Sequence, residues 1–309
     1  MALLGKTLNL VTAAALSILG HGFVTAAMAQ ANATDQVVLG KTITRDDKIA
    51  ALVPARFNGT LRVVTMGPVP PFTYLDGKNE LTGINIDVSR ALAAKMGVGL
   101  TWDMVQLEGV IPGMQARKYD VAAANLGDTV EREKILNFIN YQAMGNVVIV
   151  PETDTTSHEL MDLCGKTVSR SSGDVFGKFI DELQPKCEAA GKGQVNVKTM
   201  PDINAAFLAL KSGGADAQIN SLPMAERLIA SEGNVGKFRL LKPDNSPQGW
   251  NPNQGGTQVL KAETELAGAI EAATRALMAD GTLKAIATHY GLPAIVLDDV
   301  VVNRHASGK

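Results

Sequence analysis

The sequence predicts an α/β fold with two lobes of alternating strands and helices. Apolar residues recur at helical spacing in several segments, and short apolar runs typical of strands lie between them. This alternation restarts after about residue 147. The chain has 309 residues, 46% of them hydrophobic, which suits a two-lobed pair with a sizeable core. We therefore expect two lobes with mostly parallel sheets, followed by a helical tail.

The first lobe follows an N-terminal extension of residues 30–58, in which a short helix begins at Asp46 or Asp47. Residues 61–66 form the first predicted strand, and a proline-rich turn at 67–71 ends it. The other elements predicted for this lobe are a helix with apolar positions from Ile86 to Met96, a strand at 99–105, a helix at 110–117 and a strand at 119–125.

The second lobe repeats the pattern. The least regular segments, 151–157 and 242–256, are expected to lie near lobe boundaries or the cleft between the lobes. The predicted elements are strands at 167–169, 195–199, 217–220 and 237–241, helices at 174–190, 203–211 and 224–231, and two final helices at 263–278 and 282–290.

The first 29 residues have the features of a signal peptide. A short apolar run at 10–19 precedes Ala27-Met28-Ala29, a small-x-small cleavage signature. A retained membrane anchor is the alternative, but the run is interrupted at residues 20–22 and is short for a membrane span. We therefore expect a soluble protein exported to the periplasm.

The chain contains two cysteines, Cys164 and Cys187. Export to an oxidising compartment permits a disulfide bond, and only one pairing is available. We expect this bond to form; the alternative is two reduced, buried thiols.

Several classes of chemistry are not supported by the sequence. The formal net charge of −2 lacks the basic bias of nucleic-acid-binding proteins. The histidines after the leader, His158, His289 and His305, include no pair at the helical spacing of metal ligands. The sequence also has no nucleophile elbow, phosphate-binding loop or complete dinucleotide signature. We expect no metal and no cofactor, and a binding role is favoured.

The segment 125–134 is the most informative part of the chain. It follows an apolar strand, and Asp128 or Thr129 can cap a short helix whose first N–H groups are unpaired. Arg132, one turn into that helix, can add a planar pair of donors to the same place. These features indicate a carboxylate site at the carboxyl edge of a sheet. The alternative is that Arg132 forms an ion pair with Glu131 or Asp128 on a solvated face.

A series of motifs in fixed order resembles the polar amino-acid-binding proteins of bacterial ABC importers, solute-binding protein family 3. The resemblance extends from about residue 61 to residue 291. The motifs are LRVVT at 61–65, LTGINIDV at 81–88, GVIPGMQ at 109–115, TVER at 129–132, LCGKTV at 163–168 and DGTL at 280–283.

The resemblance implies a two-lobed periplasmic binding protein of type II, with a ligand cleft between the lobes. Lobe 1 is expected at 59–147 plus 256–309, and lobe 2 at 148–255. Crossover strands near 147–150 and 255–259 would join them. The implied function is that of a monomeric, non-enzymatic receptor. It would close on an amino acid or amino-acid-like carboxylate and deliver it to the membrane permease of an ABC importer.

The resemblance also implies roles for individual residues. Arg132 matches the arginine that holds the ligand α-carboxylate, and Asn125, Gly127 and Thr129 match positions around it. In lobe 2, Gly173 and Asp174 lie at a matching strand-to-helix turn.

The sequence departs from the family pattern at other ligand positions. Ser221 stands where an acidic residue usually takes the ligand ammonium, and Val69 and Leu107 stand where aromatic residues are frequent. Phe72 is either a wall of the cleft or part of the lobe packing. Two alternatives remain for the ammonium group: Asp174 binds it with help from Ser221, or the ligand has a blocked nitrogen.

A second function is compatible with the same scaffold. Cyclohexadienyl dehydratases resemble these receptors, and such an exported enzyme needs a general acid in the cleft. Asp174 or Glu108 is the candidate acid, and Arg170 is the candidate second cation for a dicarboxylate substrate.

Overall fold

The computed structural model describes residues 35–57, 59–171 and 177–307. The predicted signal peptide lies outside these ranges, as do Gly173, Asp174 and the start of the helix predicted at 174–190. The strands of the described residues are β1 (Asp35–Val38), β2 (Lys41–Thr44), β3 (Thr60–Met66), β4 (Tyr74–Leu75), β5 (Leu81–Thr82), β6 (Gly99–Val105), β7 (Val121–Ala122), β8 (Leu136–Pro151), β9 (Thr167–Ser171), β10 (Asn196–Met200), β11 (Ala217–Ser221), β12 (Phe238–Leu241), β13 (Trp250–Leu260) and β14 (Val296–Val302).

The helices agree closely with the sequence pattern. Asp202 caps its helix by accepting from the Ala205 N–H at 2.9 Å, and Gly97 ends another in the left-handed conformation. The α-helices of the described residues are α1 (Asp47–Ala50), α2 (Ile84–Met96), α3 (Leu107–Gln115), α4 (Val130–Glu133), α5 (Gly177–Ala189), α6 (Ile203–Lys211), α7 (Leu222–Ala230), α8 (Thr264–Ala279), α9 (Thr282–His289) and α10 (Arg304–Ser307).

One ten-stranded sheet runs through both halves of the molecule. Its main order is β10-β9-β11-β8-β13-β7-β3-β6, and β12 and β14 also pair with β8. β9 runs parallel to β10 and β11 at one end, and β3 runs parallel to β6 and β7 at the other. The centre is different, because β8 is antiparallel to all four strands that it pairs with. The expectation of mostly parallel sheets is therefore correct at the ends and wrong in the middle.

Two long strands connect the halves. β8 has 16 residues and pairs with β13 through residues 136–146 and with β11 through residues 146–149. Both predicted crossovers, near 147–150 and 255–259, fall within β8 and β13. The prediction that 242–256 is irregular is wrong from Trp250 onward. Pairing with β8 supplies the backbone hydrogen bonds of this segment, which offsets the poor strand propensity of its Pro and Gly residues.

Both ends of the described chain add structure that the sequence pattern did not predict. β1 and β2 form a hairpin within the predicted extension. After α9, β14 returns to pair with β8, so the tail is not purely helical. Residues 296–302 are rich in valine, which favours a strand, and this was the available signal.

The apolar core lies on both faces of the sheet. In the first half, α2, α8 and α9 cover the sheet with residues such as Leu92, Ile270 and Ile286, each at most 3% exposed. In the second half, a separate cluster packs around β9, β11 and α5. Trp250 packs against this cluster, with its ring centroid 5.9 Å from that of Phe179.

The disulfide prediction is confirmed. Cys164 and Cys187 are bonded with their Cα atoms 5.5 Å apart, and the bond ties the segment before β9 to α5. The alternative of two reduced thiols is therefore wrong. Among the helices of the described residues, none combines the length and the apolar character needed to cross a bilayer.

We expect Gly256→Ala to destabilise the crossover between the halves. A Cβ at this position would collide with the backbone carbonyl of Ile139, which belongs to β8 and cannot rotate away. The expected loss is about 1–3 kcal/mol of unfolding free energy in urea denaturation. Gly268→Ala is the matched control, because Gly268 lies in α8 with open space around it. The control should gain about 0.5–1 kcal/mol. Equal stability of the two variants would contradict this packing.

Candidate functional site

A strand-to-helix turn after β7 forms the candidate site. The chain leaves β7 at Ala122, and α4 begins at Val130. Thr129 has extended backbone angles and caps α4, because its Oγ1 accepts a hydrogen bond from the Arg132 N–H at 3.3 Å. Of the two predicted caps, Thr129 is therefore the observed one.

Arg132 projects its guanidinium back over this turn. Its Nη1 donates to the carbonyl oxygen of Gly127 at 2.9 Å, and the side chain is half-buried. Among the described residues, no ion pair joins Arg132 to a carboxylate, so the alternative of pairing with Glu131 or Asp128 is not observed. One nitrogen is used to orient the fork, and the other donors remain available to an anion.

Asn125 is held by a chain of polar side chains. The Nδ2 of Asn85, on α2, donates to Asn125 Oδ1 at 3.1 Å and lies 3.4 Å from Thr73 Oγ1. Thr73 in turn shares a 2.9 Å hydrogen bond with the buried Thr65. This chain orients Asn125 so that its own amide N–H groups point away from Asn85. No local pattern in the sequence marks Asn85 as part of this site.

Gly127 is in contact with β13. A Cβ at this position would overlap the side-chain amide of Asn253, so a glycine allows β13 to pack directly on the turn. Asn253 was also missed, because it lies in the segment that the sequence analysis treated as a loop.

The three apolar candidates differ in their surroundings. Phe72 is only 5% exposed and belongs to the main core, which favours the interpretation that it packs within the lobe. Val69 is partly buried against the same core. Leu107 is 40% exposed at the start of α3, and its neighbour Glu108, the candidate acid, is also exposed.

The lobe 2 candidates are only partly described. Ser221 ends β11 and is the N-cap residue of α7, with its N–H 2.9 Å from Asn220 Oδ1. Gly173 and Asp174 lie outside the described residues. Arg170 lies on β9, where its Nε donates to Thr199 Oγ1 at 3.4 Å.

Glu226 is a further, half-buried acid that was not predicted from the sequence. It lies on α7 and lines a groove of about 600 Å³ between that helix and residues 290–292. Its Oε2 is buried without a hydrogen-bond partner among the described residues, and burial raises the pKa of the carboxyl. A single Glu in an amphipathic helix does not reveal from the sequence whether its carboxyl group is buried.

Residues 61–293 match the sequence model of a protein family, the bacterial extracellular solute-binding proteins, family 3. The chain belongs to this family. The matched range covers the residues on which the sequence resemblance was based, so that resemblance is confirmed.

Two relatives and one solved structure illustrate the match. The arginine-binding protein ArgT of Corynebacterium glutamicum is 28% identical over 269 residues, which is 83% of each chain. The ABC transporter arginine-binding protein 1 of Escherichia coli is 25% identical and covers 72% of this chain and 86% of its own. The unliganded, open L-cystine solute receptor of Neisseria gonorrhoeae gives a TM-score of 0.66 at 25% identity, covering 80% of this chain and 99% of the receptor.

These similarities agree with the two-lobed α/β architecture. Both relatives are named as binding proteins, one of them as part of an ABC transporter, which supports a role in binding rather than catalysis. This chain is thus a solute-binding protein of family 3, a family described as bacterial and extracellular.

We expect Glu226→Gln to stabilise the protein at neutral pH. The raised pKa means that the folded protein keeps a proton which the unfolded chain loses above its pKa of about 4.3. The wild type should therefore lose stability relative to Glu226→Gln as the pH rises from 4 through the folded-state pKa. Above that pKa, the difference in stability between the two proteins should stay constant.

Melting temperatures measured from pH 4 to pH 8 test this. Glu232→Gln, at an exposed position just after α7, is the control and should show no such divergence. A wild type that stays more stable than Glu226→Gln at pH 7 would show that the carboxylate has a partner.

Proposed function

We propose that this protein is a periplasmic receptor that binds an amino acid or amino-acid-like carboxylate and delivers it to an ABC permease. Export follows cleavage of a signal peptide at residues 1–29, and the receptor acts as a monomer. The observation that carries the proposal is the half-buried guanidinium of Arg132, which is oriented by Gly127 and has no carboxylate partner among the described residues.

The ligand carboxylate binds Arg132 through two parallel N–H···O hydrogen bonds. A guanidinium is suited to this geometry because its donors form a rigid planar fork. Asn125 offers amide N–H groups at the strand end, and the turn at Gly127 and Thr129 supplies backbone donors. Partial burial strengthens the charged hydrogen bonds by excluding water.

The rest of the ligand lies against lobe 2 and the apolar positions of lobe 1. Val69 and Leu107 supply apolar surface without stacking aromatics, while Phe72 supports them from the core. Asp174 and Ser221 take the ammonium group where the ligand has one. The named relatives bind arginine, so L-arginine is the first probe.

Ligand binding couples to closure of the two lobes, 59–147 plus 256–309 and 148–255. Gly173, Asp174 and Ser221 belong to lobe 2, and Arg132 belongs to lobe 1. Only a closed form brings both sets onto one ligand, and this differential contact shifts the population toward closure. The boundaries fall within β8 and β13, where small backbone changes can rotate one half against the other.

The first experiment identifies the ligand and tests its carboxylate. A thermal-shift screen of amino acids, opines and polyamines should give hits that carry a free carboxylate. Isothermal titration of L-arginine, L-argininamide and Nα-acetyl-L-arginine then separates the two ends of the molecule. The amide should not bind measurably, because it lacks the anion. Retained binding of the acetylated form would favour a ligand with a blocked nitrogen.

The second experiment removes the guanidinium. Arg132→Ala should weaken binding of the best ligand by about 2–4 kcal/mol, or about 30-fold to several hundred-fold in Kd. Arg132→Lys keeps the positive charge but loses the planar pair of donors. Its Kd should therefore lie between those of the wild type and Arg132→Ala. Arg275→Ala, which removes a surface arginine paired with Glu271 and Asp299, is the control. Calorimetry that finds the same Kd for Arg132→Ala and wild type would remove Arg132 from the site.

A further inference from the structure

Two carboxylates and one imidazole meet directly behind the turn that carries Arg132. Asp128 follows Gly127 in the turn, Glu133 ends α4, and His305 lies in α10. The nearest ligand-type atoms of these three side chains all lie within 4.8 Å of one another. They come from distant parts of the chain, since Glu133 and His305 are 172 residues apart.

The two carboxylates are buried and have only neutral donors. Asp128 is 1% exposed, and its Oδ2 accepts from Asn140 Nδ2 at 2.7 Å and from the Arg304 N–H at 3.0 Å. Glu133 is 6% exposed and accepts from the N–H groups of His305 and Ala306. Neither carboxylate is in any ion pair among the described residues. The two adjacent carboxyl groups interact directly with each other, and no Lys or Arg side chain of the described residues forms an ion pair with either of them.

The second oxygen of Asp128 is a separate observation. Oδ1 is buried and accepts no hydrogen bond from an N–H or hydroxyl group within the described part of the chain. A buried carboxylate oxygen without a hydrogen bond destabilises the fold, because it has lost its hydrating water without gaining a donor. An additional positive centre in the cluster would satisfy it.

We propose that Asp128, Glu133 and His305 form a binding site for a divalent first-row transition metal ion such as Zn²⁺. Two carboxylates neutralise the ion, and an imidazole ligand favours a transition metal over Mg²⁺ or Ca²⁺. His305 Nε2 lies 3.1 Å from the carbonyl oxygen of Asp128. If Nε2 donates its proton to this carbonyl, Nδ1 is the ring nitrogen left to bind a metal ion, and a backbone carbonyl is a usual second contact of a histidine ligand.

The metal would join the C-terminal helix to the turn that carries Arg132. Its ligands are a residue of that turn, the last residue of α4 and a residue of α10. No metal site was predicted from the sequence, because the histidines include no pair at helical spacing. That test examines local spacing only and does not detect ligands brought together by the fold.

Titration of Zn²⁺ into the chelator-treated mature protein, without a histidine tag, tests the proposal. Calorimetry should show one site per chain, binding Zn²⁺ at least about tenfold more tightly than Mg²⁺. His305→Ala and Glu133→Gln should each weaken Zn²⁺ binding by about tenfold or more. His158→Ala is the matched control, because His158 is also exposed and has its Nε2 3.0 Å from a backbone carbonyl oxygen. The described residues contain no free cysteine that could compete for zinc.

His305 is exposed, so its replacement should leave the fold intact, which circular dichroism checks. Absence of stoichiometric Zn²⁺ binding would overturn the proposal, as would equal affinity in wild type and His305→Ala. A protein that binds no metal but is stabilised by Asp128→Asn at neutral pH would show that the pair is held by a shared proton, which also overturns it.

Discussion

The hydrogen bond from Arg132 to the Gly127 carbonyl is the interaction on which the site depends. It fixes the guanidinium over a strand end without consuming its charge, because the acceptor is a neutral carbonyl rather than a carboxylate. Asp128, which could have neutralised the arginine, instead points inward to Asn140 and the C-terminal segment. In this segment the positive charge of Arg132 and the carboxyl group of Asp128 therefore lie on opposite sides of the turn.

The long central strands place this turn in the molecule. β8 pairs with partners from both halves, and β13 accompanies it across the middle of the sheet. Because Asn253 of β13 packs on Gly127, the site is in direct contact with the strand that joins the halves. Under the proposed function, a ligand bound at Arg132 would lie next to the strand along which the two halves are joined.

Periodicity predicted most of the helices and the parallel parts of the sheet because each of these elements carries its own signal. The cap at Thr129 and the turn around Arg132 followed from local chemistry in the same way. The central antiparallel strands did not, because the Asn, Pro and Gly residues at 251–256 are poor strand formers whose conformation is set by pairing with β8. Asn85 and His305 also could not be predicted from the sequence, because each contacts its partners only through tertiary packing.

A crystal structure of the protein with its ligand tests the central claim most directly. The account predicts a closed form in which both carboxylate oxygens of the ligand lie about 3 Å from guanidinium nitrogens of Arg132. A ligand whose carboxylate lies elsewhere, with Arg132 facing solvent or another protein group, would contradict it.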